Sequence, residues 1–262
     1  MAGLLEHKKT AAEVVKLARS NRKIAAAELL RGVFQDFTEM HGDQLAGDDP
    51  AIIGGLAYLD RQPVTVIATN KGKTAAEKAA AHFGCPQPSG YRKALRLARQ
   101  AAKFDRPVIF LINTAGAYPG RSAEENGQGR AIADNLLNFS SLPVPLLSVI
   151  YGEGGSGGAL ALACGDRIWM LENSTYSVLS PEGFAAILWK DSSKADQAAE
   201  VLQLTPDKLL KQKIIDGIIP ESYSVYRLTH AVKKTIIQGL AELNQLSSTE
   251  LLEQRRAHFR KF

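Results

Sequence analysis

Five of the seven positions from Gly152 to Gly158, in the stretch SVIYGEGGSGGAL, are glycine. The spacing fits two chemistries. Gly152, Gly154 and Gly157 spell G-x-G-x-x-G, the pattern by which a strand-to-helix turn holds a dinucleotide pyrophosphate. Gly154, Ser156 and Gly158 spell G-x-S-x-G, the elbow that exposes a nucleophilic serine. The dinucleotide pattern fails on length. Glu172 stands where a ribose-binding carboxylate would, but only about two turns of helix fit between Gly158 and Asp166. A full crossover unit needs roughly thirty residues. The elbow fails on its partners. It requires an acid and then a histidine downstream, and only His230 and His258 follow, on polar faces rich in lysine and arginine.

A third chemistry needs no side chain. Glycine costs stability wherever the backbone does not require it, so this density points beyond a tight turn. Bare backbone at the start of a helix brings peptide N–H groups and a positive dipole end close to a ligand oxygen, which is an oxyanion hole. A second loop of the same build, TAGAYPG, follows the preceding apolar strand. Parallel strands end on one edge of a sheet, so both loops are expected to face one crevice. We assign substrate contact to Gly154, Gly155, Gly116, Ala117 and Tyr118. Tyr118 and Pro119 could wall an apolar ring; Glu124 and Glu125 either cap the next helix or touch substrate.

The elements that must position these loops are legible in the periodicity. Residues 10 to 40 read as helical, divided at Ser20-Asn21 with Asn21 as a cap. AIIGGLAYLD and PVTVIATN read as paired strands, KTAAEKAAAHFG as a helix ended by Gly84, and YRKALRLARQAAKF as a helix whose core face is Leu95, Ala98 and Ala102. PVIFLIN is apolar throughout, as a strand covered on both faces would be. After it come TAGAYPG and a helix over AEENGQGRAIADNLLNF; then strand VPLLSVI, loop YGEGGSGG and helix GALALAC repeat the unit. DRIWML and TYSVLS read as short strands, and SPEGFAAILW as a helix with Ser180 as cap and Pro181 in its first turn. KADQAAEVLQL and TPDKLLKQ (capped by Thr205) are helical, IIDGIIP is an edge segment, and the last forty residues form a polar-faced helical tail. Alternating strands and helices place the chain in the α/β class. We divide it into a helical arm (1–45), a core (46–222) and a tail (223–262).

Composition sets outer limits. The chain has 262 residues, 45% of them hydrophobic, enough for a full core. Cys85 and Cys164 are too few for a disulfide framework or a structural zinc site, which suits a reducing, cytoplasmic setting, and no metal is expected in this chain. No apolar run reaches the roughly 18 residues of a membrane helix, and the first residues lack a signal-peptide core. A formal charge of +5 suits either an anionic partner or simple solubility. Lys71, Lys73, Arg92, Lys93 and Arg96 are candidates for anionic phosphates, or else a solvated basic face.

GYRKALRLARQAAKF, TAGAYPG with AEENGQGRAIADNL, VIYGEGGSGGALALACGD and NSTYSVLSPEGFAAILWK together resemble the alpha subunit of bacterial acetyl-CoA carboxylase carboxyltransferase, in its compact Gram-positive type. The resemblance runs from about Phe34 to Glu221, and STELLEQRRAHF is similar to the family's C-terminus. It implies a crotonase-like superhelix of ββα units. It also implies transfer of a carboxyl group from carboxybiotin on a biotin carboxyl carrier protein to acetyl-CoA, giving malonyl-CoA for fatty acid biosynthesis. The implied partners are a zinc-containing beta subunit in an α2β2 assembly, the carrier and biotin carboxylase; biotin is not covalently bound here. The resemblance gives the ureido oxygen of biotin to the N–H groups of Gly157 and Gly158. Asn113 and Ala115 depart from the DTPGAYPG expected of the family, which changes that loop's charge and stiffness. The competing class is an acyl-CoA hydrolase or hydratase of the same superfamily, or a non-catalytic paralogue. Such an enzyme would set a carboxylate beside the oxyanion hole, where Glu153 is the candidate. Gly158→Val is expected to abolish malonyl-CoA formation with assembly largely intact.

Overall fold

The computed structural model describes residues 9–262. Helix α1 (Ala11–Ala18) opens on a capping box, with Thr10 and Glu13 each satisfying the other's backbone N–H. Helix α2 (Ala26–Val33) begins at Ala25, whose N–H donates to Glu28, so Asn21 is not its cap; the Asn21 side chain accepts from Lys78 instead. The helical reading also ends early. Gln35–Glu39 is strand β1, paired antiparallel with β2 (Ile52–Leu59). Phe34 and Phe37, three apart, imitate a helical face, but the chain is already extended at Phe34. β2 and β3 (Gln62–Thr69) form the expected hairpin.

Helix α3 (Ala75–Ala80) ends in a short 3-10 turn at Gly84, and α4 (Pro88–Lys103) starts three residues ahead of YRKALR. Its buried face includes Tyr91, Ala94, Leu95, Leu97, Ala98 and Ala101, so Leu95 and Ala98 lie on it as expected, while Ala102 packs against it only partly buried. β4 (Val108–Thr114) is buried along its full length. The helix expected over AEENGQGRAIADNLLNF is two, α5 (Arg121–Glu125) and α6 (Gln128–Phe139), broken by Gly127 at φ +82°. Then follow β5 (Leu146–Gly155), α7 (Ser156–Ala163), β6 (Arg167–Leu171), β7 (Thr175–Ser177) and α8 (Pro181–Trp189), the last capped by Ser180. Helices α9 (Ala195–Val201) and α10 (Pro206–Lys211), strand β8 (Gly217–Ile219), and helices α11 (Val225–Leu243) and α12 (Ser248–Phe259) complete the chain. Thr205 stands at the cap position of α10, but its hydroxyl bonds Asp207 rather than the helix backbone.

The sheet order is β1-β2-β3-β4-β5-β6-β8, parallel from β3 onward, with β7 added beside the end of β5. Alternate residues of each strand serve two cores. Phe110, Ile112, Leu146 and Ile150 meet α4, α6 and α7 on one face. Ile109, Leu111, Leu147 and Val149 meet α2 and α11 on the other. Cover on both faces is why these strands are apolar throughout. The C-terminal stretch takes part in this packing. Leu228, Val232, Ile236, Leu240 and Leu243 of α11 enter the second core. Arg255 of α12 is 1% exposed, pairs with Asp166 at 2.7 Å, and donates to the carbonyls of Phe139, Leu142 and Val144. That satisfies the buried guanidinium completely enough to fix α12 over the entry to β5.

Candidate glycine-turn site

β4 and β5 lie side by side and in parallel, so the turns that leave them meet at one sheet edge. The second turn is tighter than the sequence suggests. YGEGGSGG is not a loop: β5 continues to Gly155, where β7 pairs with Glu153, Gly154 and Gly155, and α7 begins at Ser156. The change of direction falls on Ser156, exposed, at φ +55°. A non-glycine residue in the left-handed region at a strand-to-helix junction is the backbone of a nucleophile elbow. Its partners are not assembled, however. His230 stacks on Tyr226 within α11, and His258 packs against Phe259 and Phe262 at the end of α12.

The two turns touch. A Cβ on Gly155 would collide with the carbonyl oxygen of Ala115, and one on Gly116 would stand 3.7 Å from the carbonyl oxygen of Gly155. A Cβ on Gly158 would overlap the amide nitrogen of Ala117 and come within 2.6 Å of the Gly116 carbonyl carbon. Gly157 differs: its nearest contact would be Ile132 Cγ2, at 4.0 Å. Gly158→Val is therefore a poor probe of a donor role, because it forces the turns apart. Tyr118 donates its N–H to the Pro86 carbonyl at 3.0 Å and tilts its ring against His82. The N–H groups of Ser156, Gly157 and Gly158 lie in the first turn of α7, where no carbonyl of the helix can accept them. Gly157 is half-buried beside exposed Ser156, so a ligand oxygen can approach from solvent. Glu124 and Glu125 lie in α5 and are exposed, and Glu125 accepts from Arg121.

Glu153 is buried and held by two cations. Arg19 Nε donates to Oε1 at 2.7 Å, and Lys71 Nζ to Oε2 at 2.6 Å. Burial pushes its pKa up, but Lys71 and Arg19 outweigh it and hold the carboxyl below its ordinary range. Arg19 also grips Glu182 at the start of α8. Asn113 accepts the Glu153 N–H at 3.0 Å, so its amide makes this backbone contact without setting a second carboxylate beside Glu153. Burial raises the pKa of both thiols, that of Cys164 to about 12, so neither cysteine is a ready thiolate.

The basic candidates separate. Lys93 has no exposed surface and bonds Asp48 and the Ile52 carbonyl, so it cannot meet a phosphate. Lys71 is committed to Glu153, and Lys73 pairs with Glu28. Arg92, paired with Asp43, and Arg96 line a cleft of about 720 Å³ together with Arg99, Lys103 and Arg130, and Asp43 and Asp134 line it too. Among the described residues, one cluster offers converging metal-type ligands, Glu39, His41 and Asp48; all are exposed, and Asp48 already pairs with Lys93. Arg19 escapes a reading of the sequence because its partner is 134 residues away and nothing near it in the chain announces the pairing.

The profile of the acetyl co-enzyme A carboxylase carboxyltransferase-like family matches residues 5–262. The chain belongs to this family. Its relatives include the acetyl-coenzyme A carboxylase carboxyl transferase alpha subunit of Streptococcus thermophilus LMD-9, 52% identical over 96% of this chain and 98% of the relative. The Streptococcus sanguinis SK36 protein of the same name is 52% identical over 95% and 98%. Among solved structures, the transcarboxylase 12S chain, with methylmalonyl-coenzyme A bound, matches with a TM-score of 0.68 at 17% identity. That match covers 87% of this chain but only 44% of the neighbour. A Pseudomonas malonate decarboxylase hetero-tetramer in complex with coenzyme A matches with a TM-score of 0.66 at 18% identity, over 80% of this chain and 86% of that one. The family's fold is crotonase-like, as the resemblance implied, and the chain is the carboxyltransferase alpha subunit of a biotin-dependent, multisubunit acetyl-CoA carboxylase.

Proposed function

We propose that the contact between the two glycine turns is the biotin side of the carboxyltransferase site. In this reading the N–H groups of Gly157 and Gly158 hold the ureido oxygen of carboxybiotin, while Gly116, Ala117, Tyr118, Gly154 and Gly155 shape the opening. One observation carries it: bare peptide N–H groups, in the first turn of α7, meet the Gly116 turn, and the carboxylate of the same stretch, Glu153, is committed to Arg19 and Lys71. The donor set fits an oxygen that gains negative charge, because fixed N–H dipoles stabilise it without reorganising. Carboxybiotin, carried on another protein, supplies the activated carboxyl group. The chain's own part is to bind the oxygen, orient the ring and leave proton transfer to groups outside it.

The reading includes an α2β2 assembly with a beta subunit that carries zinc and the acetyl-CoA side of the site, a biotin carboxyl carrier protein, biotin carboxylase, and a cytoplasmic location. No helix among the described residues is long and apolar enough to cross a membrane. Val178, Ile187 and Leu188, at and near α8, keep large apolar side chains in solvent, as a subunit surface does. Glu153 weighs against the hydrolase or hydratase reading, since both its oxygens are committed to cations.

The test is reconstitution. The chain alone is expected to form no malonyl-CoA; with a beta subunit and carboxylated carrier it is expected to turn over. Robust conversion of any acyl-CoA by the lone chain would contradict the reading.

A further inference from the structure

Tyr91, in α4, has no exposed surface, and its hydroxyl has no hydrogen-bond partner. A Cβ on Gly158 would stand 2.7 Å from that oxygen, and nearer still to the Gly116 carbonyl carbon and the Ala117 amide nitrogen. The hydroxyl therefore sits where the two glycine turns meet. Leaving a buried hydroxyl unpartnered costs about 1–3 kcal/mol, and phenylalanine would fill the core around the ring without that cost. Burial also pushes its pKa far above the ordinary tyrosine range, so it stays a neutral hydroxyl. The one atom that distinguishes tyrosine from phenylalanine here makes no hydrogen bond, although Cys85 and Asp49 lie near enough to act on it electrostatically.

We propose that Tyr91 is a positioning residue of the oxyanion site: its hydroxyl is the stop against which the Gly116–Ala117 peptide and Gly158 are seated. It thereby sets the direction of the Gly157 and Gly158 N–H groups. The proposal rests on the carboxyltransferase reading above. It accounts for the absence of a side chain at 158, whose space the hydroxyl shares, and for a buried oxygen that costs stability.

Tyr91→Phe deletes that atom alone. In the reconstituted assembly, kcat for malonyl-CoA formation is expected to fall about 10²-fold, the scale of a misplacement near 1 Å. The KM for acetyl-CoA is expected to stay unchanged. Tm is expected to hold or rise, because an orphaned polar group has been removed. A merely structural hydroxyl gives the opposite pattern. Wild-type kcat in the variant, or an activity loss that follows a fall in Tm, would overturn the positioning role. The wild-type assembly is assayed alongside. If it forms no malonyl-CoA, the carboxyltransferase reading fails and this proposal with it. If it is active and Tyr91→Phe matches it, only this proposal fails.

Discussion

Gly157 and Gly158 are neighbours in sequence with opposite tolerance for a side chain. A methyl group at 157 meets only Ile132 Cγ2 at 4.0 Å, whereas one at 158 meets the backbone of the facing turn. Gly157→Ala is expected to leave stability within about 0.5 kcal/mol of wild type. Gly158→Ala is expected to cost about 1–3 kcal/mol as the turns are forced apart. Thermal unfolding of the two variants checks this; equal Tm values would contradict it. At this scale the glycines were legible in the sequence, because glycine density has few other causes. Tyr91 was not: it lies at a regular core position of α4, and only its depth shows that its hydroxyl reaches the turns. Nor was the commitment of Lys93 legible, since a buried lysine and a solvated one look alike in a string of letters.

The turns are also braced between elements. Glu153 on β5 draws in Arg19 at the end of α1 and Lys71 after β3, and Arg19 extends the brace to Glu182 on α8. Because the folded pKa of Glu153 is depressed, its contribution to stability is full above the ordinary glutamate pKa. It is lost as pH falls through the lower folded value. Glu153→Gln is expected to cost about 1–3 kcal/mol at neutral pH, with the gap to wild type closing on acidification. Urea unfolding at neutral and at acid pH measures both limbs; a gap independent of pH would contradict the brace. Most elements follow from period and apolar runs, and β4 shows why: both of its faces are covered, so its sequence is apolar throughout. β1 misleads because its strand character comes from pairing with β2, while Phe34 and Phe37 keep a helical spacing. β5 runs further than expected because β7, a later segment, pairs with its glycines. α11 looked polar because its apolar stripe is narrow, yet that stripe closes the second core.

At the scale of the whole molecule, the chain is one part of a larger carboxylase, and its turns lie at a sheet edge with little side-chain chemistry of their own. Catalysis by main-chain donors has a direct test, because proline at the second position of a helix removes an N–H that no helix carbonyl accepts. Gly157 occupies that position in α7. The decisive measurement is kcat for carboxyl transfer to acetyl-CoA in the reconstituted assembly, comparing Gly157→Pro with Gly157→Ala. The alanine variant keeps the N–H and is expected to turn over near the wild-type rate. The proline variant is expected to lose about 10²–10³-fold, the cost of one oxyanion donor. Equal rates in two folded variants would contradict a donor role for the Gly157 N–H.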